Sequence, residues 1–280
     1  MENFKKETLG RAVTVVTGFW SISSKFDDES YKKWFGNTLR INCPYVVFGR
    51  PEILELVKEI RWDLPTFCIE MDVNEFYCWK FRDFLATHPR HVPSVELNMI
   101  WNEKVFLVQQ AAALNPFNTD WFAWADAGLA PYRESAPPEM EWPDTNVLKF
   151  LPEDKLIVSS STEVFLPKYL EEKYYHHIAG TAFLVNINFI QTFAEAYKKA
   201  VDKFLSFPGQ WKYTDQVIHT FIYNDQPELY CLIDHGYGAI ITALYKGELN
   251  KPKHNNVGSG KRKPLVRRLF KKFRSMFRSI

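Results

Sequence analysis

Trp121-Phe122-Ala123-Trp124-Ala125-Asp126-Ala127-Gly128 decides the fold. An aromatic-rich apolar run of this length reads as a strand over residues 121–127 that stops at Gly128, with Asp126 near its carboxyl end. Upstream, Leu97, Ile100, Trp101, Val105, Val108, Ala111 and Ala112 form a broad apolar stripe, which predicts a helix over residues 96–114 that ends at Asn115-Pro116. Further upstream the pattern alternates. A β-branched apolar run over 12–19 predicts a strand, and 31–39 a helix. Residues 45–48 read as a strand, 51–60 as a helix with Pro51 in its first turn, and 66–71 as a strand.

Downstream of Gly128, residues 128–143 are a loop rich in Pro, Glu and Trp. Strands are predicted over 155–160 and over 181–187, the latter led by Gly180. Helices follow over 189–204 and over 213–223 with Thr214 as cap, and a last strand over 229–233. Strand–helix alternation of this kind predicts an α/β fold with a mostly parallel, doubly wound sheet flanked by helices. The expected organisation is one domain over residues 1–250, a polar linker over 251–263 and a separate helix over 264–280. No internal repeat interrupts it.

The chain has 280 residues, 46% hydrophobic and 24% charged, enough for a sizeable core and unlike a disordered composition. Aromatic residues make up 16%, read mostly as core. Cys43, Cys68, Cys78 and Cys231 form no CxxC pair, so no zinc-finger spacing exists, and scattered thiols read as reduced core residues. Residues 12–20 are too short for a membrane span and read as a strand, not a signal peptide.

Charge is unevenly distributed. The formal net charge is +2, yet residues 258–280 hold 9 basic and no acidic side chains, which leaves 26 basic against 33 acidic elsewhere. In the last segment Leu265, Val266, Leu269, Phe270, Phe273, Met276, Phe277 and Ile280 share one helical face, with arginine and lysine on the rest. That pattern predicts an amphipathic helix over 264–280 lying on an anionic membrane surface, each basic residue adding about 1 kcal/mol of attraction. A calmodulin-like target helix and a nucleic-acid arm are the alternatives. The acidic body and the four apolar side chains Phe270, Phe273, Phe277 and Ile280 argue against nucleic acid as a partner. The expected location is cytoplasmic, peripheral on the inner face of a membrane. The full chain is expected to float with anionic liposomes and a chain ending at Val257 is not; equal flotation would rule the segment out as the anchor.

In open parallel sheets ligands bind beyond the carboxyl ends of the strands. Asp126, Asp215 and Asp234 stand there, with His235 beside the last. An acid at an apolar strand end needs donors or a metal to satisfy it. Asp126 with His235 could hold Mn²⁺ or Mg²⁺ carrying a diphosphate. An Asp in such a place also serves as turn former or helix cap. His176-His177 point to opposite faces if extended and so read as loop or surface residues.

The segments Val95-Glu96-Leu97-Asn98-Met99-Ile100-Trp101-Asn102-Glu103-Lys104, Asn115-Pro116-Phe117 and Trp121 to Gly128 together resemble the HtrL/YibB family. Thr14 to Phe19, Ser24-Lys25-Phe26, Tyr31 to Trp34 and Val46-Val47-Phe48 look like its opening. The likeness spans roughly residues 12–240. That family is placed among glycosyltransferases of the GT-A (Rossmann-like) fold, which implies a nucleotide-sugar donor and usually Mn²⁺ or Mg²⁺. The fold's Asp-x-Asp motif is represented here by Asp126 alone, with Trp124 or Gly128 in the other place. His177 to Phe183, Thr214-Asp215-Gln216 and His235 are similar to segments of glycogenin-type transferases.

From these resemblances, Asp215 and Asp126 are the expected catalytic residues. Thr17, Gly18, Lys104, Trp124, Asp126, Gly128, Gly180, Thr181 and Gln216 are the expected donor contacts, and Asp126 and His235 the metal ligands. The implied activity is sugar transfer to a glycan or lipid-linked acceptor at the cytoplasmic membrane face. The alternative is a catalytically silent GT-A-like module that binds a glycan or a protein.

Overall fold

A computed structural model describes residues 13–87, 94–161, 177–206 and 214–247. In chain order its elements are β1 (Val13–Phe19), α1 (Asp28–Thr38), β2 (Tyr45–Gly49), α2 (Pro51–Ile60), β3 (Thr66–Glu70), α3 (Arg82–Thr87) and α4 (Val95–Leu114). There follow β4 (Trp121–Ala125), α5 (Thr145–Leu148), β5 (Leu156–Ser160), β6 (Ile178–Asn186), α6 (Ile187–Phe204), α7 (Asp215–Asp225), β7 (Tyr230–His235) and α8 (Ala239–Lys246). The seven strands lie in the order β3-β2-β1-β4-β6-β5-β7. All run parallel except β6, which is antiparallel to both β4 and β5. This is the α/β, mostly parallel sheet flanked by helices that the strand–helix alternation of the sequence predicts.

Strand composition explains the layering. Along β4, Phe122 and Trp124 face the core shared with α4, α6 and α7, while Trp121, Ala123 and Ala125 face the core shared with α1, α2 and α8. β1 and β2 alternate in the same way, with Val16, Val46 and Phe48 on the first side and Val15 and Val47 on the second. Both faces are covered, so the strands read as continuous apolar runs. The chain leaves β1 toward β2 and β3, then returns through α4 to place β4 on the other side of β1. That reversal opens a crevice at the carboxyl ends of β1 and β4.

Two buried charged side chains brace this frame. Glu103 on α4 accepts the backbone N–H of Tyr77 and of Cys78, each at 2.9 Å, and burial raises its pKa against those two donors. Arg61, after α2, donates to the carbonyls of Leu39, Ile41, Cys43 and Pro65, and its guanidinium lies 3.9 Å from the Tyr45 ring centroid.

Several expectations are corrected. α4 is not a one-striped helix: Asn98, Asn102, Glu103 and Lys104 are buried along with its apolar residues. Gly180 does not lead its strand but sits inside β6. The strand at Trp121 ends at Ala125, so Asp126 is the first residue beyond it. Thr214 occupies the N-cap position of α7 without a side-chain cap bond. α8 follows a Gly-Tyr-Gly turn that hid it from the sequence pattern, with Gly238 at φ 76°. His176, the linker over 251–263 and the segment 264–280 lie outside the described residues. Among the described residues no helix is long and apolar enough to cross a membrane.

Candidate functional site

The crevice is a cavity of about 440 Å³. Its floor comes from the ends of β1 and β4, the start of β6, the middle of α4 and the first turn of α7. Because β6 runs opposite to its neighbours, its beginning lies at the edge where β4 ends. Asp126 N–H donates to the Thr181 carbonyl at 2.9 Å, which locks that junction.

One charge cluster dominates the floor. Lys104, from α4, is only 3% exposed. Its ammonium donates to Asp126 Oδ1 at 2.9 Å, to Asp215 Oδ2 at 2.9 Å and to the Gly180 carbonyl at 2.8 Å. These contacts use all three of its N–H groups. The nearby Trp124 indole, buried on the same face, donates to the same Asp126 Oδ1 at 2.7 Å. Burial alone would lower the pKa of Lys104; the charges and hydrogen bonds of Asp126 and Asp215 overrule it, and the ammonium is held above its ordinary value. Asp215 is raised, first by burial and then by the charge of Asp126, with Lys104 pulling the other way. Gly180 is required here, since a Cβ at that position would collide with the Asp215 carboxylate.

Of the expected donor contacts, Gly18, Lys104, Trp124, Asp126, Gly128, Gly180, Thr181 and Gln216 line the cavity together with Asp215. Thr17 does not. It is fully buried, and its hydroxyl donates to the Ala125 carbonyl at 2.7 Å, tying β1 to the end of β4. Gly128 allows close packing of Tyr31 and Trp34, whose ring carbons would lie 3.4 Å and 3.3 Å from a Cβ there. Gln216 Nε2 donates to the Ile178 carbonyl at 3.4 Å.

His235 and Asp234 are not among the lining residues. The Asp234 carboxylate turns back to the His235 backbone N–H at 2.8 Å. His177 is buried and packs against Tyr223, with ring centroids 5.6 Å apart. The donor set around Asp126 does not fit a resident Mn²⁺ or Mg²⁺. Its Oδ1 already accepts from Lys104 and Trp124, a fixed ammonium stands 2.9 Å away, and His235 is not at the cavity. Among the described residues no group of three or more His, Cys, Asp or Glu side chains is placed to hold a metal ion.

Sequence reasoning missed the rim. Lys25 and Phe26, on the loop after β1, and Arg133, on the loop after β4, line the mouth with Tyr31 and Trp101. The rule that ligands meet the loops beyond carboxyl strand ends would have found both cations, because their loops follow the two strands that flank the reversal.

The model of a family described as "Bacterial protein of unknown function (HtrL_YibB)" matches residues 65–240. Comparison with curated proteins gives no match. Among solved structures, the chain is similar to apo mouse xyloside xylosyltransferase 1, with 13% identity and a TM-score of 0.46 over 85% of this chain and 96% of that one. It is similar to the galactosyltransferase LgtC in complex with donor and acceptor sugar analogues, with 10% identity and a TM-score of 0.44 over 79% and 73% of the two chains. It is also similar to 4-diphosphocytidyl-2C-methyl-D-erythritol synthase from Anaerococcus prevotii DSM 20548, with 11% identity and a TM-score of 0.39 over 85% and 98%.

Proposed function

The chain belongs to the HtrL_YibB family, and from that premise we propose that it is a glycosyltransferase that takes a sugar from a nucleotide-diphosphate donor. The observation that carries the proposal is the Lys104–Asp126–Asp215 cluster, fixed at the sheet's reversal on the floor of a cavity large enough for a nucleotide-sugar. The acceptor is a glycan or a lipid-linked sugar. With the basic segment over 264–280 resting on anionic lipid, the reaction takes place at the cytoplasmic face of a membrane.

In the transfer, an acceptor hydroxyl oxygen forms a bond to the anomeric carbon while the bond from that carbon to the diphosphate oxygen breaks. The diphosphate leaves with the electron pair, and the acceptor hydroxyl's proton passes to the departing diphosphate or to water. Asp215 is 3% exposed and bonded to Lys104, which suits a group that orients the donor sugar better than one that collects the acceptor's proton. Asp126, with Oδ1 clamped by Trp124 and Lys104, lines the crevice and has a second carboxylate oxygen with which to accept a donor hydroxyl. The residues present do not suit a resident divalent metal, and no step here depends on one.

The test is release of nucleotide from a panel of UDP-, GDP- and CMP-sugars. Turnover of one donor is expected, with Asp126→Ala about 10²–10³-fold slower. That variant should fold, because the Lys104–Asp215 pair it leaves behind is neutral. A folded Asp126→Ala protein turning over donor near the wild-type rate would sink the assignment. Donor binding without turnover, acceptors supplied, would favour a silent binding module, a reading supported by the single acid where Asp-x-Asp is usual.

A further inference from the structure

The cavity lining contains three basic side chains among the described residues: Lys25, Lys104 and Arg133. Lys104 is committed, since its three N–H groups already meet Gly180, Asp126 and Asp215. The cluster it forms carries two carboxylates against one ammonium, so the floor is net negative and repels a diphosphate. The acid at the rim, Asp28, is engaged by Lys32 at 2.8 Å. A ligand with two adjacent phosphoryl groups therefore needs positive charge from elsewhere.

Lys25 and Arg133 supply it, and the aromatic rings around them hold them in place. Lys25 Nζ lies 4.8 Å from the Trp101 ring centroid. The Arg133 guanidinium lies 4.4 Å from the Trp34 ring and 5.3 Å from the Phe26 ring, with its Nε donating to the Gly128 carbonyl at 3.2 Å. A cation resting on a ring face keeps its N–H groups for oxygens at the edge, and a guanidinium seated this way binds phosphate in a two-pronged fashion. The two cations flank Phe26, one next to it in the chain and the other over its ring.

We infer that Lys25 and Arg133 form the anion site of this cavity and hold a diphosphate at its rim, in place of a divalent cation on Asp126. This rests on the transferase proposal only in identifying the ligand as a nucleoside diphosphate; the anion site itself follows from the charges. A divalent ion on Asp126 would sit beside the fixed Lys104 ammonium and share a carboxylate with two donors already bound to it. At the rim, both cations meet the ligand without that repulsion.

The experiment is calorimetric titration with inorganic pyrophosphate and with the nucleoside diphosphates UDP, GDP, ADP and CDP, using chelator-treated, dialysed protein, with and without added Mn²⁺. Wild type is expected to bind pyrophosphate without metal. Lys25→Met and Arg133→Met should each weaken binding about tenfold, the double variant should abolish it, and Arg133→Lys should recover only part. The thermal midpoint of Lys25→Met should stay at the wild-type value, since Lys25 is exposed, and that of Arg133→Met should fall by only a few degrees, since it loses the bond to the Gly128 carbonyl at a half-buried position. Failure of wild type to bind pyrophosphate would overturn the inference. So would binding that requires Mn²⁺, vanishes in Asp126→Asn and is indifferent to both rim variants. Rim-dependent pyrophosphate binding with no gain from any nucleoside diphosphate would uphold the anion site and remove the transferase reading.

Discussion

Lys104→Met should destabilise the fold by about 3–5 kcal/mol, read as a lowered urea midpoint. Methionine fills nearly the same volume, so the loss comes from charge and not from a cavity. Without the ammonium, Asp126 and Asp215 face each other across a site where Asp215 is 3% exposed, and the Gly180 carbonyl loses its donor. An unpaired buried carboxylate costs far more than the pair contributed while intact. The double variant Lys104→Met, Asp215→Asn should regain most of the loss, because it removes the stranded charge along with its partner. A single-variant cost below about 1 kcal/mol would mean that water reaches the cluster freely. The same measurement at raised pH separates this role from simple packing, since only wild type can lose a proton from Lys104.

Acidification should cost the protein about 3 kcal/mol between pH 7 and pH 4 through a single residue, His219. Its ring is 2% exposed, stacks on Phe193 at 5.8 Å, and shares a hydrogen bond with the Tyr230 hydroxyl at 3.0 Å. Burial, helped by the charge of Lys104, pushes its pKa down to about 3 from an ordinary 6.5. The unfolded chain therefore takes up a proton that the folded chain refuses. Stability is fully present above about pH 6.5 and is lost as pH falls through the window down to about 3. Asp215 acts in the opposite sense, since a carboxyl whose folded pKa is raised favours the folded state as acid is added. The informative quantity is accordingly the difference in slope between wild type and His219→Gln. Parallel slopes would show that His219 protonates in place.

Much of this was legible because it is local. The runs over β1, β2 and β4 are apolar on both faces, and that pattern carries the parallel, covered sheet. Pro51 marks the start of α2, whereas the acid-led first turn of α1, Asp28-Glu29, precedes the residues 31–39 read as helix. What was not legible depends on distant partners. The direction of β6 is set by pairing with β4 and β5, about which its own residues are silent. Lys104 lies on a helix where a lysine is ordinarily solvated, and its burial is explained only by acceptors far along the chain, Asp126, Gly180 and Asp215, the last 111 positions later. Trp124, expected as a donor contact, lines the cavity, but its indole is also a clamp on Asp126, which only the fold reveals. Thr17, next to the crevice in sequence, spends its hydroxyl inside the sheet. For the rim cations, their loops gave the position but not the rings that hold them.

The long reach of the Lys104 contacts also bears on the order in which the molecule can assemble. The ammonium sits in α4, one carboxylate follows β4, the carbonyl lies in β6 and the second carboxylate begins α7. A nascent chain that has made only the first four strands holds a lysine with one of its three acceptors, and water remains the better solvent for it. Closure of that end of the sheet must wait for the distal half to dock, a late event because contacts far apart in sequence form slowly. A crevice able to take a ligand thus forms only after α7 has been made and has docked on the sheet.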